Sequence, residues 1–130
     1  MEINELTGLV VDLSVKIHSN VGPGCFERVY EELLYYEMQK RNLTIHRQLL
    51  MPISYDDLLI RDAYKLDLLV DNRLIIEIKS VEHVSAVHFK QLQTYLKLMK
   101  LKNGMLLNFK TELMRDGIFR VFNNSGNLHR

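Results

Sequence analysis

Apolar residues recur three or four apart at Leu6, Leu9, Val10, Leu13 and Ile17, which predicts an amphipathic helix over residues 5–19. Gly22-Pro23-Gly24 ends it, because proline lacks an amide donor and glycine admits left-handed backbone. A second helix follows over 26–40, with Phe26, Val29, Leu33 and Leu34 on its buried side. From Thr44 the period changes to that of extended chain. Strands are predicted over 44–55 and 58–70 around a turn at Asp56-Asp57, and over 73–80 after the turn at Asp71-Asn72. A third helix over 85–100 places Phe89, Leu92, Leu96 and Met99 on one face. Asn103-Gly104 leads into a strand over 105–109, and a short strand near 118–122 closes the pattern. The order α-α-β-β-β-α-β-β describes an α+β, mixed-sheet domain over residues 1–122. Residues 123–130 read as a flexible polar tail.

The chain has 130 residues, enough for one domain and too few for two ordinary ones. Hydrophobic residues make up 47% and charged residues 25%, the balance of a globular protein. No apolar run is long enough to span a bilayer. The first residues lack the basic start and apolar run of a signal peptide, so the expected location is the cytoplasm. A single cysteine, Cys25, excludes an internal disulfide and a cysteine zinc cluster. Net charge is only +1, but its distribution is uneven. Residues 1–87 hold 9 Lys/Arg against 14 Asp/Glu, while residues 88–130 hold 8 against 2. An acidic metal site beside a basic, phosphate-touching half gives such a pattern, and so do two ordinary solvated faces.

Chemistry concentrates in the hairpin of residues 64–80. Side chains alternate along a strand, so Leu66, Leu68 and Val70 share one face and Lys65 and Asp67 the other. Leu74, Ile76 and Ile78 likewise oppose Ile75, Glu77 and Lys79. If both apolar sets cover one core, Val70 pairs with Leu74, Leu68 with Ile76, and Leu66 with Ile78. Asp67 then lies across from Glu77, with Lys79 alongside. Two carboxylates on directly opposed residues repel and require a compensating charge. A divalent cation such as Mg²⁺ supplies it with one or two carboxylates and water. The alternative is a surface hairpin whose acids are balanced by Lys65, Arg73 and Lys79. On the helices, Glu27 and Tyr30 are neighbours three residues apart, and His88, Gln91 and Tyr95 follow one flank of the third helix.

Gly24-Cys25-Phe26-Glu27-Arg28-Val29-Tyr30, within the stretch Gly22 to Glu31, resembles the signature of the GxxExxY family, small bacterial and archaeal proteins of the PD-(D/E)XK nuclease superfamily. Asp67, Glu77-Ile78-Lys79, Val87-His88, Gln91 with Tyr95, and Asn108-Phe109 follow in that family's order. The resemblance implies a restriction-endonuclease-like core. It implies a metal, Mg²⁺ or Mn²⁺, held by Asp67, Glu77 and the backbone carbonyl of Ile78. Lys79 would activate water and stabilise charge on phosphate. Glu27 would complete the metal shell or position water, and Gln91 and Tyr95 would steady the site or contact substrate. Leu66 stands where the superfamily's name has proline. The implied function is phosphodiester hydrolysis of DNA or RNA, the alternative a nuclease-fold module that binds nucleic acid or protein without cutting. A homodimer through exposed apolar surface is compatible with both.

Overall fold

The computed structural model of the chain describes residues 1–123. The first apolar stripe forms α1, Ile3–Val21, and the second forms α2, Glu27–Gln39. The bend between them is shaped by Gly22, whose φ of 76° suits glycine, and is pinned by Tyr30. The Tyr30 hydroxyl donates to the Gly22 carbonyl at 2.6 Å and accepts from the Cys25 amide at 3.1 Å. Its buried ring stacks on Phe109 at 4.2 Å between centroids. Tyr30→Phe keeps the stack and leaves the loop amide without this acceptor. A loss of about 1–2 kcal/mol in chemical denaturation is expected.

Five strands follow the expected order: β1, Ile45–Tyr55; β2, Leu58–Val70; β3, Leu74–Lys79; β4, Asn103–Asn108; and β5, Ile118–Phe122. Helix α3, Ala86–Met99, lies between β3 and β4, and a 3-10 turn, Met114–Gly117, precedes β5. The sheet runs β1-β2-β3-β4-β5, antiparallel throughout except for the β3–β4 pair. Only that parallel pair needs a crossover, and α3 supplies it.

Helices cover both faces. Leu6, Val10, Leu13, Leu34 and Met38 of α1 and α2 pack on Leu68, Val70, Leu74, Ile76, Ile78 and Leu107. On the opposite face Leu92, Tyr95 and Leu96 of α3 pack on Leu66, Leu69, Ile75 and Leu106. The central strands are accordingly buried on both sides, with Leu74 through Ile78 all excluded from solvent. Asn108, also buried, brackets the turn after β3: its carboxamide accepts from Val81 N at 3.1 Å and donates to Val81 O at 2.9 Å.

Several expectations need correction. Phe26, expected on the buried side of the second helix, stands just before it and is 83% exposed. Leu66 does not share a face with Leu68 and Val70; it packs beneath α3, and its pairing with Ile78 does not form. Asn123, expected to open a polar tail, is tied down by bonds from its backbone amide to Lys102 O and from its carboxamide to Leu101 O. The remainder of that tail, residues 124–130, lies outside the described residues. At the far end of the β1–β2 hairpin, Tyr55, Leu58, Leu59 and Ile60 are exposed. No described helix is long and apolar enough to cross a membrane.

Candidate active site

Regular pairing of β2 with β3 runs Val70 with Leu74, Leu69 with Ile75 and Leu68 with Ile76, the register read from the hydrophobic pattern. The next pair in that register is Asp67 and Glu77. Here side chains replace the backbone ladder. A Glu77 carboxylate oxygen accepts from the Asp67 amide at 3.1 Å, and an Asp67 carboxylate oxygen accepts from the Ile78 amide at 2.8 Å. Each acid thus fixes itself to the backbone of the other's strand, and the strands part at that point. The two carboxylates are held together where the sheet opens.

Both strands of the neighbouring β1–β2 hairpin turn over at the same level. Ile45 and Leu68 belong to the α1/α2 side, but Leu49, Met51, Tyr64 and Leu66 pack on the α3 side. The register is unchanged across the break, Arg47 with Leu68 and Leu49 with Leu66, so Gln48 and Asp67 stand opposite each other. Gln48 has a φ of 48°. One residue on each strand leaves the pleat, and Leu66 therefore changes face.

Asp67 lines a hollow of about 520 Å³ beside α2, together with Glu27, Glu31, Gln48, Ile78 and Lys79. Glu27, the first residue of α2, is exposed at its edge. Glu31, one turn on, is buried; Arg47 donates to it at 3.1 and 3.2 Å, and the Gln48 carboxamide donates to its other oxygen. Arg47 also pairs with Glu32 and lies 4.6 Å from the Tyr35 ring centroid. Lys79 is half-buried and makes no ion pair among the described residues.

The accessory residues of α3 are divided. Tyr95 is buried, stacked on Tyr64 at 4.8 Å between centroids. It lies near enough to the acids that burial, then the charges of Glu77 and Asp67, raise its hydroxyl pKa. Gln91 is exposed and has no hydrogen bond to the acids among the described residues. His88 caps its own helix, its Nδ1 accepting from the Ser85 amide at 3.1 Å. The flank carrying all three residues therefore splits between cap, surface and core.

Burial and the adjacent Asp67 push the Glu77 carboxyl up to about 8, with Glu27 adding to the rise and Lys79 and the Asp67 amide opposing it. Asp67 is likewise raised, first by burial and also by Glu31, against the Ile78 amide and Lys79. An under-compensated pair of hard oxygen donors is the result. Among the described residues no group of three or more His, Cys, Asp or Glu side chains assembles into a metal cluster. Two carboxylates without thiolate or imidazole suit a hard cation that keeps much of its water, rather than zinc in a closed cage.

Of the side chains gathered around the hairpin acids, the sequence pattern singles out Asp67, Glu77, Lys79 and Glu27 and passes over Glu31, Arg47 and Gln48. Glu31 has a usable signal, since it lies four residues after Glu27 on the same helix face. Gln48 has none, because nothing in alternation announces a left-handed residue inside a strand.

No curated protein and no solved structure matches the chain. The family model described as the PD-(D/E)XK nuclease superfamily matches residues 4–121, which take in the hairpin acids, Lys79 and all three helices. The three helices and five-stranded mixed sheet are consistent with that assignment. The chain belongs to the PD-(D/E)XK nuclease superfamily.

Proposed function

We propose that this chain is a Mg²⁺-dependent nuclease of the GxxExxY group, hydrolysing phosphodiester bonds in DNA or RNA. The observation that carries this reading is the reciprocal seating of Asp67 and Glu77 at the opening of the sheet, with Lys79, in no ion pair among the described residues, beside the same hollow. Asp67, Glu77 and the Ile78 carbonyl would hold Mg²⁺, or Mn²⁺ in its place. When bound, the ion supplies charge neutralisation at the phosphate and acidifies water.

The chain's own residues supply the rest. The Lys79 ammonium, two residues beyond Glu77 and in no ion pair among the described residues, orients water and stabilises negative charge developing on phosphate oxygens. Glu27 reaches into the hollow from the start of α2 and positions water opposite the hairpin acids. Tyr95, stacked on Tyr64 within electrostatic reach of both acids, steadies the site. Gln91, exposed on α3, is free to contact substrate. The excess of Lys and Arg after residue 88 favours a polyanion over a neutral ester.

A cleavage assay over single- and double-stranded DNA and RNA, with and without Mg²⁺ or Mn²⁺, tests this reading. Metal-dependent cutting that disappears in Asp67→Ala is expected. Activity that survives both Asp67→Ala and Lys79→Ala belongs to a contaminant and removes the claim. Metal and nucleic-acid binding without cleavage would assign the chain to the non-cutting alternative.

A further inference from the structure

Six non-glycine residues among those described have positive φ: Asn42, Gln48, Asp56, Asp71, Asn72 and Lys100. Five are in turns or at a helix end, where Asn, Asp and a C-terminal cap residue adopt left-handed backbone readily. Gln48 is different. It lies in the interior of β1, between Arg47 and Leu49, both paired in regular register. Left-handed backbone for such a residue costs on the order of 1 kcal/mol, and it persists only where surrounding contacts impose it.

The contacts that impose it converge on the candidate site. Gln48 carries two donor hydrogens on one nitrogen, and two carboxylates flank that nitrogen: Glu31 in close contact and Asp67 at 3.4 Å. The Glu31 side of this bridge is anchored, because Arg47 holds the other Glu31 oxygen. The Asp67 side is long for an N–H···O bond and acts as a directional restraint more than a strong bond. Asp67 Oδ2 is already committed to the Ile78 amide, so Gln48 acts on Oδ1, the remaining oxygen. The backbone turn that exposes this geometry also moves Leu66 to the α3 side, so the strand break and the bridge form one device.

We infer that Gln48 is a positioning residue for the metal site, transmitting the fixed Arg47–Glu31 pair to Asp67 and setting the orientation of its free carboxylate oxygen. This rests on the reading of Asp67 as a metal ligand. Groups that orient metal-binding side chains from behind typically change affinity ten- to a hundredfold when removed. Gln48→Gly separates positioning from stability, because glycine accepts the left-handed backbone without strain while deleting the bridge. Gln48→Asn is a second variant that keeps an amide and tolerates positive φ, but is one methylene short of spanning both acids.

The test is Mn²⁺ titration by calorimetry of the unaltered chain and both variants, alongside their melting temperatures without metal. The expected result is a ten- to a hundredfold weaker Mn²⁺ affinity in both variants, with a melting temperature for Gln48→Gly within a few degrees of the unaltered chain, the lost donor to Glu31 being offset by relief of the left-handed backbone. Affinity within twofold of the unaltered chain in both variants would overturn the role of Gln48 while leaving the metal site standing. No Mn²⁺ binding by the unaltered chain would overturn both.

Discussion

Glu77→Gln will melt at a higher temperature than the unaltered chain at pH 8 in the absence of divalent metal. Glu77 is almost fully buried, with Asp67 opposite, and its carboxyl is pushed up to about 8 by burial and by that neighbour. A raised carboxyl pKa means the folded chain holds a proton that the unfolded chain releases. Stability from this group is therefore complete below the unfolded value near 4.5 and declines as pH rises above it. The decline ends once pH passes the folded value near 8. Glutamine is neutral throughout and retains an oxygen to accept the Asp67 amide. The advantage of the variant is thus absent near pH 4, grows through neutrality and is full above about pH 8. A tenfold difference in proton affinity between folded and unfolded chain is worth about 1.4 kcal/mol, so a rise caused first by burial and then by Asp67 makes the gain on the order of a few kcal/mol. On the proposed reading, added Mg²⁺ is expected to stabilise the unaltered chain and to have little effect on the variant. Thermal melts from pH 4 to 9, with and without metal, measure this. A variant less stable than the unaltered chain at pH 8 would show that the acid is a structural asset and not a strained ligand.

Lys79→Ala will slow metal-dependent cleavage on the order of 10²–10³-fold, the cost of removing one positioned charge from a site where negative charge develops. Mn²⁺ affinity is expected to be unchanged or tighter. The Lys79 charge favours the ionised forms of both Asp67 and Glu77, but it also opposes a second cation in the same hollow. Because Lys79 makes no ion pair among the described residues, its loss breaks no salt bridge, and the melting temperature is expected to hold within a few degrees. Single-turnover rates, calorimetry and thermal melts on one preparation separate these effects. An unchanged rate would remove Lys79 from the chemistry.

Element order and the register of the central hairpin are legible in the sequence because both follow from where apolar residues fall. The Leu68–Ile76 and Val70–Leu74 pairs need only alternation and the short loop Asp71-Asn72-Arg73, whose first two residues have positive φ. The same alternation misplaces Leu66. It assumes an unbroken pleat, and the pleat breaks at Gln48 and Asp67 under the hold of Glu31, 17 residues from Gln48 in sequence. Alternation also assigns the face carrying Glu77 to the polar side of the hairpin. Yet Ile75 and Leu69 on that face, and the apolar run Met105 to Leu107 beside it, are the marks of a strand covered on both sides. Tyr30 shows the limit of motif reading from the other direction. The spacing puts it beside Glu27, but its hydroxyl is spent on Gly22 and Cys25 and its ring on Phe109. It shapes the bend that delivers Glu27 to the hollow. Gln91 and Tyr95, alike in the pattern, differ in place: one is exposed and the other packed against Tyr64.

What unites these features is a sheet that opens where its two most strained acids meet. A crystal structure of the chain soaked in Mn²⁺, with the ion located by its anomalous scattering, tests that centre most directly. The expected result is a single strong peak coordinated by carboxylate oxygens of both Asp67 and Glu77, with Lys79 facing it across the hollow. A map with no peak between those carboxylates, or with Mn²⁺ held only elsewhere on the surface, would contradict the assignment of this pair as the metal site.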